Sequence, residues 1–303
     1  MRVLIVGCGY VGLPLGAELI RLGHEVSGLR RNPATQNELK AAGIQPLFGD
    51  VTKPDELEKL PHDFDWVVNC IATSGGGAEN YRRTYFEGTK NIVEWLSGSP
   101  PKKFLYTSST SVYAQTDGSH IKESSPTEPT AETSKILLET EKLLIEAAKQ
   151  KKIPAMILRV AGIYGPDRGY AFKQFLKNEA RIEGDGARFL NMIHRDDVIG
   201  CIIAALKNGR AGEIYNAVDD EPVTQMNFFQ WLAGSVGKYP PPFEPESSGE
   251  NRKRGATNKR VSNRKLKMEL GYQFKYPNFR KGYSAELLRL ERAGELHIEP
   301  DAR

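Results

Sequence analysis

The stretch Gly7-Cys8-Gly9-Tyr10-Val11-Gly12 constrains this chain more than any other. It follows the apolar run Arg2-Val3-Leu4-Ile5-Val6 and opens a helical pattern that reaches about Leu22. A strand that turns on glycine into a helix leaves the first-turn amides of that helix without partners. In such a motif the first glycine permits the tight turn and the second lets the backbone approach a pyrophosphate. The third allows close helix–sheet packing. The expectation is a dinucleotide held at the helix N-terminus, where free N–H groups and the helix dipole meet its phosphates. A purely structural glycine turn is the alternative.

The rest of the first half repeats the strand–helix alternation. Strands are expected at 25–30, 45–48, 65–71, 103–106 and 154–159, with helices at 83–96 and 134–150. Strands separated by helices of this length imply a mostly parallel sheet covered on both faces. After Arg159 proline, glycine and charge become frequent, with a cluster at Pro240-Pro241-Pro242. The expected architecture is an α/β, Rossmann-type doubly wound parallel sheet with a smaller C-terminal substrate lobe. Residues 1–165 would form the NAD(P)-binding domain, with later segments returning to it. Residues 166–290 would mainly form the substrate lobe, and 291–303 a tail. No apolar run is long enough to span a bilayer and no signal peptide is visible, so the reading is a cytoplasmic protein with no membrane partner. The formal charge of +4 is small for a nucleic-acid binder. Cys8, Cys70 and Cys201 share no metal-like spacing, so neither a metal site nor a disulfide framework is expected.

Individual residues sharpen the cofactor reading. An NAD site commonly places an acid at the end of the second strand. Here that strand ends Leu29-Arg30-Arg31, and the next acid is Glu38. Two guanidiniums suit a 2′-phosphate, which favours NADP while NAD stays open. Asp50, followed by Val51, can accept a hydrogen bond from the adenine amine, with Thr52 the expected cap of the helix after it. The run Thr107-Ser108-Ser109-Thr110-Ser111-Val112-Tyr113 clusters hydroxyls at a strand's carboxyl end, where ligands of open α/β sheets bind. Lys135 can hold ribose hydroxyls or simply face solvent. Asp196 or Asp197 would cap a helix starting near Val198, leaving His194 a packing role. Cys201 lies in Gly200-Cys201-Ile202-Ile203-Ala204 and reads as a buried helix residue. Gly9 to Leu15 resembles the opening of UDP-sugar 6-dehydrogenases, but a buried Cys201 cannot supply their thioester chemistry.

Further segments carry a wider resemblance: Ala72-Thr73, Asn91 after Gly88-Thr89, Ser108 to Tyr113, Leu158-Arg159-Val160 with Tyr164-Gly165-Pro166, His194 to Val198, and Gly212 to Ala217. As an ordered set they resemble the extended, sugar-nucleotide epimerase-like branch of the short-chain dehydrogenase/reductase superfamily, from about Met1 to Leu290. The resemblance implies NAD(P) bound by Gly7, Gly9, Tyr10, Val11, Gly12, Arg30, Arg31, Asp50, Val51, Ala72, Thr73 and Lys135. It also implies a small-molecule substrate, often a nucleotide sugar, under a C-terminal lobe. Many members form homodimers. The family's central device is Tyr-x-x-x-Lys with a Ser or Thr. Lys135 matches the lysine and Ser109 the hydroxyl, but the tyrosine position holds Ala131, as in an atypical subgroup. Its methyl group carries no transferable proton. The residue pair after Ser109 is Thr110-Ser111 rather than the Asp-Glu of the dehydratases.

Two functions follow as expectations. One is an NADP-dependent oxidoreductase or epimerase with Ser109 and Lys135 in the family roles. Its proton donor would be Tyr113, Tyr164 or Tyr170, or else Glu132. Ser109, Thr110, Arg188 and Arg254 would contact the substrate. The other is a dinucleotide-binding sensor or regulator without turnover.

Overall fold

The computed structural model describes residues 1–73, 75, 77–245 and 257–296. Seven parallel strands form the central sheet: β1 (Arg2–Val6), β2 (Glu25–Arg30), β3 (Gln45–Phe48), β4 (Trp66–Asn69), β5 (Lys103–Ser109), β6 (Ala155–Val160) and β7 (Ile214–Ala217). Their order is β7-β6-β5-β4-β1-β2-β3, a doubly wound Rossmann-type arrangement. All residues of β4 and β6 are buried, as expected for strands covered by helices on both faces. Helix α1 (Gly12–Arg21) buries Gly12, Leu15, Gly16 and Leu19, the i, i+3, i+4, i+7 stripe of a surface helix.

The strand order reverses between β1 and β4, and the carboxyl ends of these strands border a crevice there. Strand β5 runs three residues beyond its expected end at 106. Thr107, Ser108 and Ser109 pair in register with Leu158, Arg159 and Val160 of β6. Three of the hydroxyls expected at the strand's carboxyl end are therefore ladder residues. They alternate between the two faces of the sheet.

The helix expected at 83–96 is two elements: a π-helical stretch, Arg82–Glu87, followed by α2 (Gly88–Leu96). Helix α3 (Glu132–Lys149) starts two residues earlier than expected, with Ala131 at its N-cap and no capping side chain. The helix after Asp50 spans Pro54–Leu57 with Lys53 at its N-cap, so Thr52 does not cap it. Helix α4 (Arg195–Asn208) also begins early. Its cap is His194, whose Nδ1 accepts the Asp196 amide at 3.1 Å. Asp197 instead accepts from the Tyr272 hydroxyl and from the Lys275 and Tyr276 amides.

Two apolar cores result. The larger surrounds the sheet and takes in α4 and β7, so the sheet is completed by chain well beyond residue 165. The smaller is rich in aromatics: Tyr164, Phe172, Phe175, Phe228, Phe229, Phe279 and Tyr283.

Candidate functional site

A cleft of about 420 Å³ opens over the carboxyl ends of β1, β2, β4 and β5. Its floor is the glycine loop. Gly7 has φ +93°, and a Cβ there would lie 2.8 Å from the Ile71 backbone. Only glycine suits both conditions. A Cβ on Gly12 would meet the Gly7 carbonyl oxygen at 2.4 Å, so its absence lets α1 start against the strand. Gly9 differs from both, because a Cβ there would touch nothing within 4 Å. The space above it is the cleft. These are the three glycine roles that a bound pyrophosphate asks for, so the residues present fit a dinucleotide.

One end of the cleft is lined by Arg30, Arg31, Asn32, Asp50 and Val51. Arg30 is largely committed. Its Nε donates to the Cys8 carbonyl at 2.7 Å, Nη2 donates to the same oxygen, and Nη1 pairs with Glu38. It braces the glycine loop from behind while keeping an edge in the cleft. Arg31 is exposed. Asp50 Oδ1 accepts from the Thr52 amide and hydroxyl, both at 2.9 Å. Burial works against ionisation of Asp50, yet the Thr52 hydrogen bonds and the charges of Arg31 and Lys53 hold its carboxyl below the usual range.

The other end is lined by Ala72, Thr84, Tyr85, Thr107, Ser108, Ser109, Leu137, Val160 and Ile163. Ser109 Oγ accepts the Ser111 amide at 3.2 Å and so caps the turn Thr110–Val112. Ser108 Oγ donates to Glu141 Oε1 at 2.5 Å. Glu141 is held in turn by Arg159, whose Nη2 reaches Oε2 at 2.7 Å. Arg159 Nη1 donates to the Tyr113 hydroxyl at 2.8 Å, and that hydroxyl donates to Asn216 Oδ1 at 2.9 Å.

This network corrects one expectation. Tyr113 is fully buried, and both hydrogen-bonding directions of its hydroxyl are used. Burial raises its pKa, against the opposing pull of Arg159 and Asn216. It has no access to a substrate oxygen. Tyr164 is also displaced from the role of donor. It is 1% exposed and stacks on Tyr283 at 4.3 Å in the second core, where burial pushes its phenol up. Tyr170 stands in solvent, 83% exposed. Glu132 is paired with Lys135 at 3.4 Å, and the half-exposed Lys135 is not among the cleft-lining residues.

Other expected contacts are also outside the cleft lining. Thr110 is buried in its turn. Thr73 turns its hydroxyl onto the Gly75 carbonyl at 2.6 Å. Arg188 lies 3.8 Å from Glu183 in the second lobe. Arg254 lies outside the described residues. Burial pushes the Cys8 thiol up to about 12 and raises those of Cys70 and Cys201, so none is a ready nucleophile. No group of three or more His, Cys, Asp or Glu suited to a metal occurs among the described residues. Nor is any helix among them long and apolar enough to cross a membrane.

Tyr85 and Arg168 are among the lining residues that sequence reasoning missed. Tyr85 sits on the π-helical stretch, its hydroxyl accepting the Thr73 amide at 3.4 Å. In sequence it reads as an ordinary core aromatic. Arg168 follows Tyr164-Gly165-Pro166 by two residues, and that glycine–proline turn is the signal that could have drawn attention to it.

A model of the NAD dependent epimerase/dehydratase family matches residues 3–217. The chain belongs to that family. It is 27% identical to Protein YeeZ of Escherichia coli K12, over 91% of this chain and 97% of that protein. A solved structure from Methylobacillus flagellatus, provisionally named an NAD-dependent epimerase/dehydratase, is 32% identical with a TM-score of 0.75. The match covers 96% of this chain and 98% of that one. The UDP-glucuronic acid 4-epimerase of Bacillus cereus, solved with UDP-glucuronic acid and NAD, shares the fold. Its TM-score is 0.81 at 24% identity, covering 97% of this chain and all of that one. Family membership and the sheet order agree on the architecture.

Proposed function

We propose that this protein is an NADP-preferring oxidoreductase or epimerase acting on a sugar-nucleotide-like or small carbonyl or alcohol substrate. The observation that supports it best is one cleft shared by the glycine loop, Arg31 and Ser109. When bound, the dinucleotide supplies hydride at its nicotinamide. The protein's residues do the rest. The amides of Tyr10 and Val11 receive the pyrophosphate at the start of α1. Arg31, with the free edge of Arg30, meets the 2′-phosphate, and Asp50 accepts from the adenine amine. Ser109 steadies the substrate oxygen. The sugar-nucleotide class is carried over from the Bacillus cereus epimerase, whose structure holds UDP-glucuronic acid.

A general acid must come within hydrogen-bond reach of the reacting oxygen. Two tyrosines line the cleft, Tyr10 and Tyr85. Tyr10 donates its hydroxyl proton to the Pro166 carbonyl at 2.9 Å. Tyr85 lines the same cleft as Ser109, and we assign it the proton-donor role in place of the side chain that Ala131 lacks. A second reading, a dinucleotide sensor without turnover, draws on Ala131 itself.

Titration of nicotinamide fluorescence with the purified protein tests the proposal. NADPH is expected to bind at least about tenfold more tightly than NADH, the worth of one good charge-assisted contact. Equal affinities would remove the role given to Arg31. On the catalytic reading, Tyr85→Phe abolishes turnover of a nucleotide-sugar or carbonyl substrate and leaves NADPH affinity within twofold. Oxidation of NADPH by none of a panel of such compounds would favour the sensor.

A further inference from the structure

The turn Gly165-Pro166-Asp167-Arg168 belongs to the chain leading into the second lobe, yet it is fastened to the glycine loop. It is closed on itself by two backbone bonds, Gly165 N to Arg168 O at 3.1 Å and Arg168 N to Gly165 O at 3.0 Å. Asp167 sits at φ +58°, a conformation Asp tolerates better than most residues. Gly165 has φ +137°, and a Cβ there would lie 3.0 Å from His194 Nε2 and 3.3 Å from the Tyr10 hydroxyl. Only glycine lets the turn approach this closely. The Tyr10 hydroxyl donates to the Pro166 carbonyl at 2.9 Å, which ties the two segments together.

The turn presents two side chains of opposite charge, and they have different fates. Asp167 accepts from Arg289 at 3.0 Å, away from the cleft. Arg168 lines the cleft. Its guanidinium lies 4.9 Å from the centroid of the Tyr10 ring. Arg195 lies 5.3 Å from the same centroid but is also paired with Asp196 at 3.2 Å. Arg168 has no carboxylate within ion-pair distance among the described residues. A guanidinium is charged at every accessible pH, and its planar fork matches phosphate oxygens. The Tyr10 ring supports that cation without neutralising it.

Resting on the dinucleotide reading above, we propose that Arg168, propped on Tyr10, clamps the dinucleotide's pyrophosphate from the second-lobe side, opposite the amides of the glycine loop. The diphosphate then has donors on both sides: backbone N–H groups below and an arginine fork above. The same contact makes the turn at 165–168 respond to cofactor occupancy. Tyr10 thus serves twice, its amide facing the phosphates and its ring holding the arginine.

The test uses the full-length protein and three probes: NADPH by fluorescence, with ADP-ribose and 2′-AMP by competition against it. ADP-ribose carries the pyrophosphate. The third probe, 2′-AMP, keeps the adenosine and 2′-phosphate without it. Arg168→Ala is expected to weaken NADPH and ADP-ribose about tenfold or more, the scale of a charge-assisted phosphate contact. It should leave 2′-AMP within twofold, with an unchanged thermal unfolding midpoint. Arg168→Lys should recover part of the loss. A shallower salt dependence of NADPH binding in Arg168→Ala would support the same contact. If the wild type binds NADPH and Arg168→Ala binds it equally well, the clamp is overturned and the cofactor reading stands. An equal loss for 2′-AMP also overturns it, because Arg168 would then act on the adenosine end or on the fold. If the wild type binds none of the probes, the clamp and the cofactor reading fall together.

Discussion

At the glycine loop, Arg31 and Arg168 face an open cleft, and Tyr10 stands half-buried between two guanidiniums. Beneath β5 and β6 the same residue types meet a different end. Arg159 is 3% exposed and Tyr113 fully buried, and both are bonded within one closed network with Ser108, Glu141 and Asn216. In the first region polar groups keep hydrogen-bonding capacity because solvent, or a ligand, stands in front of them. In the second the donors are spent on other side chains or on the backbone carbonyls of Glu123 and Ser262, since a buried charge left unpaired costs several kcal/mol. Residue identity alone does not separate a site from a structural knot. Satisfaction and access do.

The sharpest way to break this contrast is to open the closed network. Glu141→Ala leaves Arg159 buried without its carboxylate, and is expected to destabilise the fold by about 3–5 kcal/mol. Urea unfolding measures it. A loss under about 1 kcal/mol, the range of an exposed pair, would mean that solvent reaches Arg159 and that the two regions do not differ as described.

Lys259 offers a pH probe of the same neighbourhood. It is 4% exposed and donates to the Tyr113 carbonyl at 2.7 Å. Burial lowers its pKa to about 8, from the 10.5 of an ordinary lysine. Between these values the unfolded chain binds the extra proton and the folded chain does not, so stability should rise with pH across that window. The full effect is on the order of 3 kcal/mol. Measured against Lys259→Met from pH 7.5 to 10.5, the wild type should gain relative stability as pH rises. Parallel stability curves would show that Lys259 is solvated.

A smaller effect separates structure from catalysis at Tyr113. Tyr113→Phe removes one hydroxyl from the network and should cost about 1–2 kcal/mol of stability, with NADPH affinity unchanged. Lost turnover at unchanged stability would return Tyr113 to the list of proton donors.

Much of the frame was readable beforehand. The expected strands at 25–30 and 45–48 coincide with β2 and β3. They are short stretches bounded by glycine turns at Gly23 and Gly49, and such signals are local. The glycine loop is local too, because its function is carried by backbone. The catalytic assignments were not readable in this way. Tyr113 follows a hydroxyl-rich strand and invites a chemical role, but its partners Arg159 and Asn216 lie 46 and 103 residues further along the chain. Tyr164 beside Gly165-Pro166 is taken up by Tyr283, which is distant in sequence but stacks directly on it. His194 displaced the aspartates as helix cap because α4 begins three residues earlier than the acidic pair suggested.

Sequence by itself determined the doubly wound sheet, the glycine cradle and the missing side chain at Ala131. Each depends on neighbours within a few residues: side-chain periodicity, glycine's freedom at positive φ, and the presence or absence of a hydroxyl. Tertiary structure decided where the arginines and tyrosines lie. Arg168 and Tyr85 reach the cleft, while Arg159 and Tyr113 are sealed beneath it. The reason is desolvation. Whether a polar side chain can serve a ligand depends on which distant groups exclude water from it and take up its hydrogen bonds.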